Sequence, residues 1–173
     1  MTSSQQPDPT RYHFIPRVLV FLTRGDKVLL IKRAADRKLW PGLYNGLGGH
    51  VERGESVYAA AAREVEEESG LTDLSLWLCA VVAIDTGETA SGILMFVFHG
   101  EADGDLRPSA EGALEWASVD KVSDLPLVED IPDLLPRVLD RTPKDPPLWG
   151  LYTYDSSGNL SIRFDGHPFP EQN

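Results

Sequence analysis

Residues 49–71 read Gly49-His50-Val51-Glu52-Arg53-Gly54-Glu55-Ser56-Val57-Tyr58, then four alanines, then Arg63-Glu64-Val65-Glu66-Glu67-Glu68-Ser69-Gly70-Leu71. A glycine turn runs directly into a strong helix-forming stretch. Ser56 is a suitable N-cap, because its hydroxyl can accept from an orphan N–H of the first turn. Gly70 suits the left-handed residue that closes a helix. At roughly 100° per residue, Glu64, Glu67 and Glu68 fall within about a 100° arc of one face. Tyr58, Ala61 and Val65 fall beside that arc and are expected to pack on a sheet, while Glu66 points to solvent. Three carboxylates on one arc repel, each like-charge pair costing a few tenths of a kcal/mol. A hard cation reverses the sign, and oxygen ligands are what Mg²⁺ and Mn²⁺ prefer. Arg63 is placed to pair with Glu55 or Glu67. A solvated acidic face is the ordinary reading of such a run. The glycine turn, Glu55 and Arg63 at these spacings argue against it.

The order Gly49, five residues, Glu55, seven residues, Arg63-Glu64-Val65, one residue, Glu67-Glu68, one residue, Gly70-Leu71 resembles the Nudix box at every fixed position. The resemblance implies an α/β fold, the α/β/α sandwich with a mixed β-sheet of the Nudix hydrolase superfamily. It also implies Mg²⁺-dependent hydrolysis of a diphosphate linkage, with Mn²⁺ as a possible substitute. Catalytic roles would fall to Arg63, Glu64 and Glu67. Glu64, Glu67, Glu68 and the Gly48 carbonyl would be metal ligands, and Glu64 would either bind metal or accept the proton of the attacking water. A further carboxylate often precedes a Glu-Trp strand in the MutT group. Glu111, ahead of Glu115-Trp116, is the first candidate and Glu115 the second.

The residues flanking the box bear on the substrate. Leu43-Tyr44-Asn45-Gly46-Leu47-Gly48-Gly49 resembles the run before the box in MutT-related enzymes that remove oxidised purine nucleoside triphosphates. In that group the matching asparagine contacts the purine, which would make Asn45 the base reader, since an amide offers both a donor and an acceptor. Equally, Asn45 can stabilise a turn before Gly46. Trp149-Gly150-Leu151-Tyr152-Thr153-Tyr154 and Leu160-Ser161-Ile162 are similar to the terminal hairpin of the same group. Glu129 and Asp130 stand where that group carries base-contacting acids. Leu127 and Val128 replace the aromatic residue often found before them, and helix capping is the competing role for the acids. His50 stands where lysine is common and has either a phosphate-contacting or a structural role. Trp40 either lines the pocket or covers the core.

The remaining chain fits one domain. Of its 173 residues 42% are hydrophobic and 25% charged, the balance of a globular chain. Sixteen Lys and Arg against 27 Asp and Glu give a net charge of −11, which argues against polymeric nucleic acid as a partner. A small nucleotide remains compatible, because bound metals invert local charge. Cys79 is expected to be a small buried hydrophobe. That disfavours the isomerases of the same fold, which need a cysteine at the site. A non-catalytic binding module is disfavoured because every box glutamate is present. Hydrolysis of ADP-ribose, nucleotide sugars or dinucleoside polyphosphates is the alternative within hydrolases. His13, His99 and His167 show no mutual ligand spacing. No apolar run approaches a membrane span and no leader is evident, so a cytoplasmic location is expected. A homodimer is compatible with this composition.

Residues 1–11 are expected to be a loose tail, and 12–173 one domain with a C-terminal β-hairpin. Strands are expected over 17–22 and 27–32 around Arg24-Gly25-Asp26, over 74–84 and 92–99 around residues 85–88, and over 114–118. Residues 33–46 are expected to be irregular. A second helix is expected within 130–140, entered near Pro132 and kinked at Pro136. Strands over 151–154 and 160–164 would form the last hairpin around residues 155–159.

Overall fold

The computed structural model describes residues 8, 11–87 and 91–165. The expected tail lies almost wholly outside these, as do Glu88 and His167. The strands are β1 (His13–Arg24), β2 (Lys27–Arg33), β3 (Tyr44–Asn45), β4 (Ser75–Asp85), β5 (Ser91–Glu101), β6 (Gly112–Ser118), β7 (Leu148–Tyr154) and β8 (Leu160–Asp165). The helices are α1 (Val57–Ser69) and α2 (Ile131–Leu139), and a 3₁₀ turn covers Val119–Asp124. The strands form one sheet in the order β3-β2-β1-β5-β4-β7-β8, with β6 on the other edge of β2. β1 runs parallel to β5 and β4 parallel to β7, while the remaining pairs are antiparallel. The sheet is therefore mixed, as expected.

Val18–Leu22 of β1 and Val28–Ile31 of β2 are buried on both faces, and their alternation sorts the core into two layers. Val18, Val20, Leu22, Leu29 and Ile31 pack with Ala60, Ala61 and Val65 of α1. Leu19, Phe21, Val28 and Leu30 pack on the opposite side with Ile131, Leu134, Leu135 and Val138 of α2. A period of two in the strands meets a helical stripe on each face. Cys79 is a free, buried thiol in the α2 layer.

α1 is capped as its sequence requires. The Ala59 N–H donates to Ser56 Oγ at 3.2 Å, and Gly70 ends the helix at φ 79° with its N–H on the Glu66 carbonyl. Tyr58 departs from expectation. It is 46% exposed, because in the first turn its ring reaches only the edge of Phe98 and its hydroxyl the Leu74 carbonyl. Pro132 lies in the first turn of α2, where its missing N–H costs nothing. The helix continues unbroken past Pro136 to Leu139. No helix among the described residues is long and apolar enough to cross a membrane.

The arrangement that positions the site lies at β1. β2 pairs with β1 only over Lys27–Leu29, then leaves to pair with β3 through Ile31 and Lys32. The vacated edge of β1 takes the chain that follows β3, with Leu47 opposite Val20 and His50 opposite Arg17. Val20 and Leu47 exchange both backbone hydrogen bonds, at 2.7 and 3.0 Å, and Val18 donates to the Gly49 carbonyl at 2.9 Å.

Leu134 is fully buried in the α2 layer. Leu134→Ala is expected to lower the unfolding free energy by about 2–5 kcal/mol, measured by urea denaturation, with an unchanged slope.

Candidate active site

The segment Gly48–Val51 passes between β1 and α1 too tightly for side chains at its first two positions. Gly48 has φ 151°, and a Cβ there would collide with the Val18 carbonyl. A Cβ on Gly49 would collide with the Glu64 carboxylate. The glycines thus let one backbone touch both the sheet and the acidic helix face.

Arg63 organises that face. It grips Glu55 with two hydrogen bonds, Nη2 to Oε1 at 2.8 Å and Nε to Oε2 at 3.2 Å. Nη1 reaches Glu64 Oε1 at 3.0 Å and Glu67 Oε2 at 3.1 Å, and Nη2 also donates to the His50 carbonyl at 3.0 Å. Both expected partners are found, with Glu64 in addition. These carboxylates raise the Arg63 pKa, and Arg63 in turn lowers that of Glu55. Arg63 stands behind the acids and lines neither of the cavities described below. Glu68 is only 6% exposed and accepts the Gly48 N–H on Oε2 at 2.9 Å. Burial raises the pKa of Glu64, Arg63 pulls it back, and Glu67 and Glu55 push it up again. Burial pushes Glu68 up to about 7, with the charges of Glu64 and Glu111 adding to the shift and the Gly48 N–H opposing it.

The first cavity, of about 460 Å³, is lined by Glu64, Glu67, Glu68, Glu111, Gly48 and His50 among others. Glu111 faces it from the loop before β6 and is paired with Arg37 at 2.9 Å and Arg33 at 3.9 Å. Glu115 is elsewhere. It lies opposite Leu30 and accepts the Tyr44 hydroxyl at 2.7 Å, so only the first-choice carboxylate is in the cavity. Among the described residues no three His, Cys, Asp or Glu side chains close a metal site by themselves. The donor chemistry still fits a hard cation. Glu64 Oε2, Glu67 Oε1 and Glu68 Oε1 have no hydrogen-bond partner among the described residues. An ion held there would complete its shell with the Gly48 carbonyl, water and substrate oxygens, which is how Mg²⁺ is usually held.

A second, narrower cavity of about 120 Å³ adjoins the first at Arg17, Arg33, Gly48, Gly49 and Glu68. Asn45, Glu129, Asp130 and Trp40 line it. The chain before α2 is what gathers them. The Tyr44 N–H donates to the Pro126 carbonyl at 2.8 Å and the Val128 N–H to the Tyr44 carbonyl at 3.0 Å, setting Glu129-Asp130 beside Asn45. Asn45 Oδ1 accepts the Gly46 N–H at 2.8 Å, and the residue lines the cavity from β3 and not from a turn. Asp130 begins α2 but makes no side-chain cap bond. Burial pushes its carboxyl up to about 6, with Glu129 adding to the shift. The hairpin closes the far wall. The Tyr154 hydroxyl donates to Glu129 Oε1 at 2.7 Å, and the buried Tyr152 hydroxyl, in the same wall, has no hydrogen-bond partner.

The sequence reading missed Arg17 and Arg33. Each flanks an apolar strand run, where a cation ordinarily reads as a solvated end. Cys79 lines neither cavity. His99 is buried, its Nε2 bonded to Thr23 Oγ1 at 3.1 Å and its ring against Trp77. His13 opens β1 and lines neither cavity.

The sequence profile of the Nudix domain matches residues 13–138. The chain belongs to the Nudix family. It is 36% identical over 119 residues to the NAD-capped RNA hydrolase NudC of Stutzerimonas stutzeri, covering 67% of this chain and 41% of that protein. It is also 36% identical over 108 residues to the oxidized purine nucleoside triphosphate hydrolase of Danio rerio, covering 60% of this chain and 66% of that protein. The chain thus spans about two fifths of the NudC relatives it matches. In three dimensions it resembles the MutT protein of Bacillus halodurans, with a TM-score of 0.75 and 28% identity over 90% of this chain and 100% of the other. The Nudix profile ends within α2, so the β7–β8 hairpin lies beyond it.

Two tests follow from this geometry. Arg63→Ala is expected to weaken Mn²⁺ binding by about 10–100-fold, the usual effect of losing a residue that orients ligands, measured by calorimetry at constant ionic strength. Asp130 binds its proton more tightly folded than unfolded. Its contribution to stability is therefore full below about 3.8 and lost as the pH rises through about 6. Asp130→Asn is expected to stabilise the fold above about pH 6 more than at acid pH, read from unfolding midpoints across that range.

Proposed function

We propose that this Nudix hydrolase cleaves purine nucleoside triphosphates, oxidised ones preferentially, to the monophosphate and pyrophosphate. The carrying observation is the adjacency of the two cavities. Asn45, Glu129 and Asp130 share one cavity, and the carboxylate cluster of α1 lies just across Gly48-Gly49. A substrate with a base in the first set and an anhydride against the second would span both. Asn45 keeps an amide N–H for the base. Asp130, pushed up to about 6, retains a proton in a fraction of molecules near neutrality, so this carboxyl can donate as well as accept. The purine hydrolase of Danio rerio supports this reading.

The proposed chemistry is water attack at phosphorus with departure of the phosphorylated leaving group. Mg²⁺ or Mn²⁺, if held in the cavity, would neutralise phosphate charge and acidify water. Glu67 and Glu68 offer their free oxygens as principal ligands. Glu64, fixed through Oε1 by Arg63, presents Oε2 either as a ligand or as the acceptor of the water proton. His50, exposed and lining the same cavity, would meet a terminal phosphate. Positioning and charge neutralisation carry most of the rate in such reactions.

The test is turnover of a panel containing 8-oxo-dGTP, dGTP, ADP-ribose, NAD and diadenosine polyphosphates with Mg²⁺, with products separated by chromatography. Preference for 8-oxo-dGTP, yielding monophosphate and pyrophosphate, supports the proposal. Preference for ADP-ribose, NAD or a dinucleoside polyphosphate overturns the purine assignment and leaves the carboxylate chemistry standing. Glu67→Gln and Glu68→Gln are each expected to abolish turnover with an unchanged circular dichroism spectrum. Near-normal rates in both would overturn the ligand assignment.

A further inference from the structure

We propose that Arg17 is a phosphate-anchoring residue of the substrate site, holding the anion that joins the base cavity to the acidic cavity. The inference rests on the substrate being a nucleotide with an anhydride linkage, and deepens that reading. Arg17 is one of five residues common to both cavities, together with Arg33, Gly48, Gly49 and Glu68. It stands on the edge of β1 that β2 has left, with its backbone opposite His50. Its side chain follows the alternation of Leu19, which lines the base cavity, so the guanidinium sits at the junction.

Arg17 has no counterion there. Its Nε is buried without a hydrogen-bond partner, and it makes no ion pair among the described residues. This occurs in a chain with 27 acidic residues against 16 basic ones. None of the acids lining these cavities pairs with it: Glu111 is bound to Arg37, Glu68 accepts the Gly48 N–H through Oε2, and Glu129 accepts the Tyr154 hydroxyl. A guanidinium does not shed its proton, and a half-buried cation without a partner is destabilising. Burial, and then the charge of Arg33, press its pKa downward. The two cations at this junction repel, and among the described residues only Arg33 has a carboxylate beside it, Glu111 at 3.9 Å. Phosphate is the anion whose geometry matches a planar fork of donors, and Arg binds it in two-point fashion where Lys binds as a point charge. The position of the junction selects the phosphate nearest the nucleoside, because the acids of α1 and their cation take the part of the chain beyond it.

The decisive measurement is metal-free calorimetry in EDTA, comparing dGMP with deoxyguanosine on the wild type, Arg17→Met and Arg17→Lys. Hydrogen bonds to a charged partner predict that the phosphate tightens binding by about tenfold or more in the wild type. Arg17→Met is expected to remove most of that gap without changing nucleoside affinity, and Arg17→Lys to restore part of it. With the best triphosphate, KM is expected to rise about tenfold for Arg17→Met while kcat stays within about threefold. The ligand-free Arg17→Met protein is expected to unfold at or above the wild-type temperature, since an unpaired cation has gone. An undiminished phosphate gap in Arg17→Met overturns the proposal. So does a destabilised variant that loses nucleoside and nucleotide affinity alike, which marks a structural role. If neither nucleoside nor dGMP binds the wild type, the purine reading fails and inorganic pyrophosphate decides the case for Arg17. Thermal protection of the wild type but not of Arg17→Met supports it, and equal or absent protection overturns it.

Discussion

The site depends first on one guanidinium. Without Arg63, the arc of Glu64, Glu67 and Glu68 would be a cluster of like charges on adjacent helical turns, partly shielded from water. Arg63 ties Glu64 and Glu67 to the loop acid Glu55 and to the His50 carbonyl. It offsets the repulsion and selects which oxygen of each carboxylate faces inward. The planar fork is essential to this, because five N–H donors in fixed directions serve four acceptor groups at once. A lysine ammonium has three donors and no fixed plane. The same bonds attach the loop to the helix at Glu55 and His50, and the Gly48 N–H adds a bond to Glu68.

The second constraint is the early departure of β2 from β1. Had β2 paired along the whole of β1, the edge from Arg17 to Val20 would be filled and the Gly48-Gly49 segment would have no track. β2 leaves after Leu29, and the returning chain takes that edge with its own ladder. Tyr44, one step earlier, carries the segment before α2 on its backbone groups. One strand exchange therefore sets both walls: the carboxylates of α1 on one side of the glycines, and Asn45 with Glu129 and Asp130 on the other.

These two constraints explain what was legible in the sequence. The helix, its caps and its acidic arc follow from local rules, and Ser56, Gly70 and the three glutamates stand as those rules require. The mixed sheet with a helix on each face was legible as well. The ends of β1 were not. His13–Pro16 is mostly exposed and has no apolar alternation, and parallel pairing with β5, distant in sequence, extends the strand there. β3 has two residues and no period, so its partners, distant in sequence, define it. Glu111 and Glu115 differ by four residues and were separable only through the register of β6 on β2, which turns Glu115 towards Tyr44. Arg17 and Arg33 carried no local signal, because a cation beside an apolar run becomes a cavity residue only when a distant loop closes over it.

The charge balance of the chain then acquires a local meaning. A net charge of −11 bears on encounters with extended polyanions, whose binding needs a broad basic surface. It does not bear on a site a few ångströms across, where individual pairings decide the field. On α1 Glu64 and Glu67 are pinned by Arg63 and Glu68 by the Gly48 N–H, and their free oxygens leave that wall short of positive charge. At the junction Arg17 and Arg33 face the cavity from β1 and β2, and Arg17 has no anionic partner among the described residues. The two deficits lie side by side across Gly48-Gly49. A cation alone satisfies the first and a phosphate alone the second. The proposed nucleoside polyphosphate carrying its metal ion would satisfy both together, and this joint neutralisation, rather than net charge, would make so acidic a chain receptive to so acidic a ligand.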